Sequence, residues 1–196
     1  EFRRVLFRST LDAHLSPLQT HYIDGPVTLT NNGHTIQASE PADTRDTITL
    51  DKQTWTLQQF HFHSPSENTV HGKKYAMEMH LVHKNAAGEL TVVAVMFDKG
   101  AANPELEKLW SVMPQLAEQN VSIKGDLNLN TLLPEDKTYF RFSGSLTTPP
   151  CSEGVTWIVL KHPMTVSAEQ LDKFTHTMHH DNNRPVQSLH GRVVVE

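Results

Sequence analysis

The stretch Gln59 to Asn68 reads QFHFHSPSEN, and the stretch Glu78 to Asn85 reads EMHLVHKN. Side chains at i and i+2 of an extended strand leave on the same face. Gln59, His61 and His63 therefore project together, while Phe60 and Phe62 turn into packing on the other side. The same parity aligns Glu78, His80 and Val82 and leaves Met79, Leu81 and His83 opposite. If the two runs pair as neighbouring strands across the connection 64–74, the imidazoles of His61, His63 and His80 converge.

Three neutral imidazoles without a thiolate suit a catalytic zinc, since structural zinc sites fill all four positions and catalytic ones keep a position for water. Each ligand imidazole also needs a partner on its second nitrogen to hold the tautomer. Gln59 beside His61 and Glu78 beside His80 are placed for that task. A lone H-x-H is a frequent accident of a half-solvated strand. The amide, the carboxylate and the third histidine together favour the metal, with His83 as a substitute ligand whose parity points it away. His176, His179 and His180 have helical spacing near a helix end and are expected to be exposed, and His14, His21, His71, His162 and His190 receive no role.

These residues must be carried by strands. From Leu11 onward, the β-rich runs HYIDGP, LTNNGHTIQ, DTITLDKQTWTLQQFHFH, KYAMEMHLVH and ELTVVAVMFDKG are separated by turn signals at Asp24-Gly25-Pro26, Asn32-Gly33, His71-Gly72 and 85–88. The nearly continuous apolar runs 90–97 and 155–160 predict strands in the middle of a sheet covered on both faces. Two helices interrupt the pattern. Asn103-Pro104 reads as cap and first residue ahead of the stripe Leu106, Leu109, Trp110 and Met113, and Ser167 to Gln170 reads as a capping box ahead of Leu171 and Phe174.

The chain has 196 residues, which suits one domain, and no internal repeat or linker divides it. A net charge of -5 offers no basic face for nucleic acid. No apolar run approaches the ~18 residues of a membrane span. The opening EFRRVLFRST has no periodicity joining it to the β-rich runs beyond it, so residues 1–9 are expected to be a non-native remnant ahead of a domain spanning 10–196. With a single cysteine, Cys151, no internal disulfide can form, and cysteine usage alone favours a reducing compartment.

QFHFHSPSEN, EMHLVHKN, NNGH at Asn31 to His34, GSLTTPPCSEGVTWIVLK from Gly144 and NNRPVQ from Asn182 together resemble the alpha-class carbonic anhydrases in their bacterial form, from about Leu11 to Val195. The resemblance implies a mainly β (α+β) fold, with a large twisted, mostly antiparallel central sheet and short peripheral helices. It implies zinc held by His61, His63 and His80, with Gln59, Glu78 and the backbone carbonyl of Asn182 on the second nitrogens. It further implies that Thr147 accepts a hydrogen bond from zinc-bound hydroxide and donates its own proton to Glu67, and that His34 is the proton shuttle. Val82, Val92, Leu146, Thr148 and Trp157 match the substrate pocket.

The implied activity is the reversible hydration of carbon dioxide to bicarbonate and a proton, with no nucleic-acid partner. The family's aromatic-rich opening and cysteine-containing Gln-Ser-Pro stretch are missing, which implies an N-terminal truncation that removed the partner of Cys151. By resemblance the protein is periplasmic or secreted, against the bare cysteine count. Two other readings stand beside this one. A catalytically impaired or silent binding module on the same scaffold is opposed by the intact triad, and another zinc hydrolase is opposed by the absence of an H-E-x-x-H helix.

Overall fold

A computed structural model describes residues 10–196, and the expectation for residues 1–9 lies outside the described residues. Among the described residues, thirteen strands form in chain order: β1 (Gln19–His21), β2 (Thr28–Asn31), β3 (Ile36–Ser39), β4 (Thr47–Leu50), β5 (Gln53–His63), β6 (Thr69–Val70), β7 (Lys73–Lys74), β8 (Met77–Lys84), β9 (Leu90–Lys99), β10 (Asn120–Ser122), β11 (Tyr139–Ser145), β12 (Glu153–Leu160) and β13 (Met164–Val166). Eleven of them make one sheet along the path β10-β2-β3-β5-β8-β9-β12-β11, to which β4 with β1 joins at β5 and β13 joins at β9. Every pairing in it is antiparallel except β12 and β13 on β9. The strand-rich architecture expected from the sequence is the one observed.

Alternation along the central strands sorts their apolar residues onto two faces. Phe60, Phe62, Met79, Leu81, Val93, Val95 and Ile158 enter the larger core. Val82, Val92, Ala94, Met96, Val155 and Trp157 form a smaller one on the face that His80 shares with Val82. Strands buried on both faces lose the polar alternation of a half-solvated sheet, which is why the runs 90–97 and 155–160 read as continuous.

The larger core is closed by α1 (Pro104–Trp110) and α2 (Ala168–Met178). Asn103 Oδ1 accepts the backbone N–H groups of Glu105 and Leu106, and Ser167 and Gln170 complete the expected capping box. Gln170 also joins the helices, because its Oε1 accepts the Asn103 N–H at 2.9 Å and its backbone carbonyl accepts the Trp110 indole N–H at 2.9 Å. Trp110 stacks on Phe174, and Phe62 packs edge-on against Trp110 at 4.9 Å between ring centroids. The helices thus grip the strand at Phe62, the residue between His61 and His63. Met113, assigned by periodicity to the α1 stripe, lies beyond the end of the helix, although it is buried.

Three features depart from the sequence reading. The run 46–63 is two strands, folded at Asp51 and Lys52, whose φ values of 50° and 61° are unusual for residues other than glycine. A D-K pair carries no glycine signal, so the turn is invisible to sequence patterning. Asp24-Gly25-Pro26 is no simple turn, since Gly25 instead bridges to Leu127. Strands β10, β11 and β13 are elements that the sequence reading does not separate. The three-residue strands β10 and β13 are held by register with β2 and β9 and are too short to show a period of their own.

Candidate metal centre

Strands β5 and β8 pair antiparallel with His61 opposite His80 and His63 opposite Glu78. That register brings the rings together, at centroid separations of 5.0 Å for His61 and His63, 5.3 Å for His61 and His80, and 4.6 Å for His63 and His80. One ligand nitrogen from each lies within 4.8 Å of the others.

The remaining nitrogens are held by oxygen acceptors. His61 Nδ1 donates to Gln59 Oε1 at 2.8 Å, His63 Nδ1 to the carbonyl of Asn182 at 3.0 Å, and His80 Nε2 to Glu78 Oε1 at 2.9 Å. Nε2 of His61, Nε2 of His63 and Nδ1 of His80 are left open. His63 Nε2 is buried without a partner among the described residues, a costly arrangement for a polar atom unless something binds it. Burial, then the proximity of the other imidazoles, holds His61 well below the ordinary histidine range, and burial also lowers His63. Neutral imidazoles with open nitrogens are what zinc requires, and the donor set fits it.

Glu78 is fully buried. Burial pushes its carboxyl up, but the neighbouring His80 and the hydrogen bond from its ring N–H, followed by the hydrogen bonds from Asn68, outweigh it and leave the group below its ordinary value. Glu67, four residues after His63, places Oε1 3.3 Å from His63 Nδ1 and Oε2 4.0 Å from His80 Nδ1. Oε1 accepts the backbone N–H of Arg184 at 2.7 Å, and Oε2 has no hydrogen-bond partner among the described residues. The expected hydrogen bond from Thr147 to Glu67 is therefore not formed here. Thr147 sits half-buried at the head of the turn after β11, whose backbone ties run from Leu146 N to Ser152 O and from Cys151 N to Thr148 O.

His34 is exposed in the turn between β2 and β3, which Gly33 allows by taking φ of 80°. Asn182 ties this turn to the histidine strand. Its side-chain NH2 donates to the carbonyls of His34 at 3.0 Å and Phe62 at 2.9 Å, and its Oδ1 accepts the Ser64 N–H at 2.8 Å. Val82, Val92 and Trp157 belong to the smaller core, with Leu146 packed on it, and Thr148 is exposed in the turn. Trp157 stands edge-on to His80 at 4.9 Å, and its indole N–H donates to the Ser145 carbonyl at 3.0 Å. His83 lies on the opposite face, fully buried, with Nε2 2.8 Å from the hydroxyl of Tyr22. His179 and His180 are exposed at the end of α2, and His176 lies in its last turn.

Residues 7–196 match the family model described as eukaryotic-type carbonic anhydrase. The chain belongs to the eukaryotic-type carbonic anhydrases. It is 70% identical over 188 residues to a carbonic anhydrase of Klebsiella pneumoniae, covering 96% of this chain and 76% of the relative. Among solved structures, the alpha-carbonic anhydrase of Thermovibrio ammonificans, solved with the inhibitor sulfanilamide, matches with a TM-score of 0.92 at 47% identity, covering 95% of this chain and 82% of that one. The Photobacterium profundum alpha-carbonic anhydrase matches with a TM-score of 0.91 at 48% identity, covering 96% and 85%.

Within this carbonic anhydrase chain, the sequence reading missed two contributors to the site. Asn68 binds Glu78 through both its backbone and its side chain, and the Asn182 side chain spans from β5 to the His34 turn. Neither had a periodic signal, since both residues lie outside strands. No helix among the described residues is long and apolar enough to cross a membrane.

Proposed function

We propose that the chain catalyses the reversible hydration of carbon dioxide to bicarbonate and a proton at a zinc ion held by His61, His63 and His80. The observation that carries this reading is the set of three open imidazole nitrogens within 4.8 Å, each on a ring whose other nitrogen is already held. The chemistry that zinc supplies when bound is a nucleophilic water whose pKa is brought to about 7.

Everything else falls to the protein. Gln59, Asn182 and Glu78 accept from the second nitrogens and so fix the tautomer and orientation of the imidazoles. Glu67 keeps an acceptor open at Oε2 beside His80, and the Thr147 hydroxyl is the donor proposed to use it, which turns the threonine's own lone pairs toward the nucleophile. Val82, Val92, Leu146 and Trp157, with Thr148 at the exposed turn, supply an apolar wall against which an uncharged linear substrate can wait without displacing hydrogen-bonded groups. His34, exposed and tied through Asn182 to the strand of His63, is the side chain that carries the product proton to buffer.

Zinc analysis of the purified chain together with stopped-flow carbon dioxide hydration tests the reading. One zinc per chain with hydration abolished by a chelator and restored by zinc supports it. A chain that takes up zinc stoichiometrically and hydrates carbon dioxide no faster than buffer overturns it.

A further inference from the structure

Glu78 does more than hold His80. A carboxylate offers about four acceptor positions, and here four donors occupy them. Oε2 accepts the backbone N–H of Glu67 at 2.7 Å and that of Asn68 at 2.8 Å, while Oε1 accepts His80 Nε2 at 2.9 Å and the side-chain amide of Asn68 at 2.6 Å. The group is wholly buried, so no solvent can replace a missing donor.

The two oxygens are held differently. Oε2 is fixed by backbone N–H groups, which side-chain substitution leaves in place. Oε1, the oxygen that holds the metal-site histidine, has only one other donor among the described residues, Asn68 Nδ2. Rotation of the carboxylate about its last bond would swing Oε1 away from His80, and the Asn68 amide opposes that rotation. The same carboxylate anchors the backbone at Glu67, so the ligand His80 and the open oxygen of Glu67 are referenced to a single group.

The Asn68 backbone is secured separately. Ser66 Oγ donates to its carbonyl at 2.8 Å and accepts the Tyr75 N–H at 2.9 Å, so the loop does not depend on the Asn68 side chain for its path. That separation isolates what the amide contributes.

We infer that Asn68 is a positioning residue for the metal site: its side-chain amide locks the Glu78 carboxylate in the rotation that holds His80, and thereby sets how slowly zinc leaves. The inference rests on the proposed zinc site. It assigns a determinant of metal retention to a residue that touches neither metal nor substrate. Partners of this kind typically change metal affinity or activity about 10- to 100-fold when lost.

The test uses the intact zinc-loaded chain and follows zinc release into a chromophoric chelator, with circular dichroism monitoring the fold. Asn68→Leu keeps the branched shape and removes the donor; zinc release is expected to accelerate roughly tenfold or more. Asn68→His restores an N–H at the same branch position and is expected to return release to within about threefold of wild type. A packing role gives the opposite order, with Leu tolerated and the bulkier His disruptive, and that order overturns the inference. If Asn68→Leu does not fold, Asn68→Ala against wild type decides, and unchanged release overturns the inference. A wild-type chain that takes up no zinc removes the proposed function and this inference with it, whereas a wild type that holds zinc as its variants do removes this inference alone.

Discussion

His61 lies directly opposite His80 across the β5–β8 pair, with the rings edge-on at 5.3 Å between centroids. Cross-strand neighbours on one face stand about 5 Å apart at Cβ, close enough for two imidazoles to share an ion. His63 completes the set from two residues along the same strand.

Zinc binding should follow this geometry. The wild-type chain is expected to hold one zinc, and His61→Ala, His63→Ala or His80→Ala each to remove most of it, because three protein ligands leave no redundancy. His83→Ala should keep the zinc, since His83 faces Tyr22 on the other side of the sheet. Metal analysis after dialysis checks this, and loss of zinc in His83→Ala would contradict the observed register.

Removing the proposed hydroxyl donor should separate catalysis from metal binding. Thr147→Ala is expected to retain zinc while carbon dioxide hydration falls by about a hundredfold, the scale of one positioned transition-state hydrogen bond. Glu67→Gln should act in the same direction, because it replaces one of the acceptor's oxygens with a donor. Full activity in Thr147→Ala would remove that residue's role.

Proton export predicts a different signature. His34→Ala should lower kcat in dilute buffer and spare kcat/KM, with concentrated imidazole restoring the rate. Equal losses in both parameters without rescue would assign His34 to structure.

His83 should make stability sensitive to acid. Burial holds it at about 4 in the folded chain, against about 6.5 when unfolded. The unfolded chain therefore takes up the proton first, so this contribution to stability is present above pH 6.5 and is lost as the pH falls toward 4. Between pH 7 and pH 5, wild type should lose about 2 kcal/mol more unfolding free energy than His83→Gln. Urea titrations at the two pH values measure the difference, and parallel losses would show that His83 titrates normally.

Gly144 should be intolerant of a side chain. A Cβ there would stand 2.8 Å from Cδ1 of Trp157, well inside van der Waals contact. Gly144→Ala is expected to displace the indole that stands beside His80 and to cost about 1 to 3 kcal/mol through overpacking. Unchanged tryptophan fluorescence and stability would show that the ring moves aside freely.

What the sequence determined by itself was local. Strand alternation is a property of the extended backbone, so the common face of His61 and His63, the partner roles of Gln59 and Glu78, and the exclusion of His83 were legible from spacing. The helix caps at Asn103 and Ser167 were legible for the same reason, since each hydrogen bond closes within three residues. Tertiary structure decided the relationships that span the chain. Pairing His61 with His80 required a register set by the whole β5–β8 ladder, and the acceptor for His63 comes from Asn182, 119 residues away. The turn at Asp51 and Lys52 had no glycine to announce it and exists because β4 and β5 pair on either side. The fourfold saturation of Glu78 by His80, Glu67 and Asn68 depends on a buried carboxylate drawing in every nearby donor, a demand that arises only once water has been excluded.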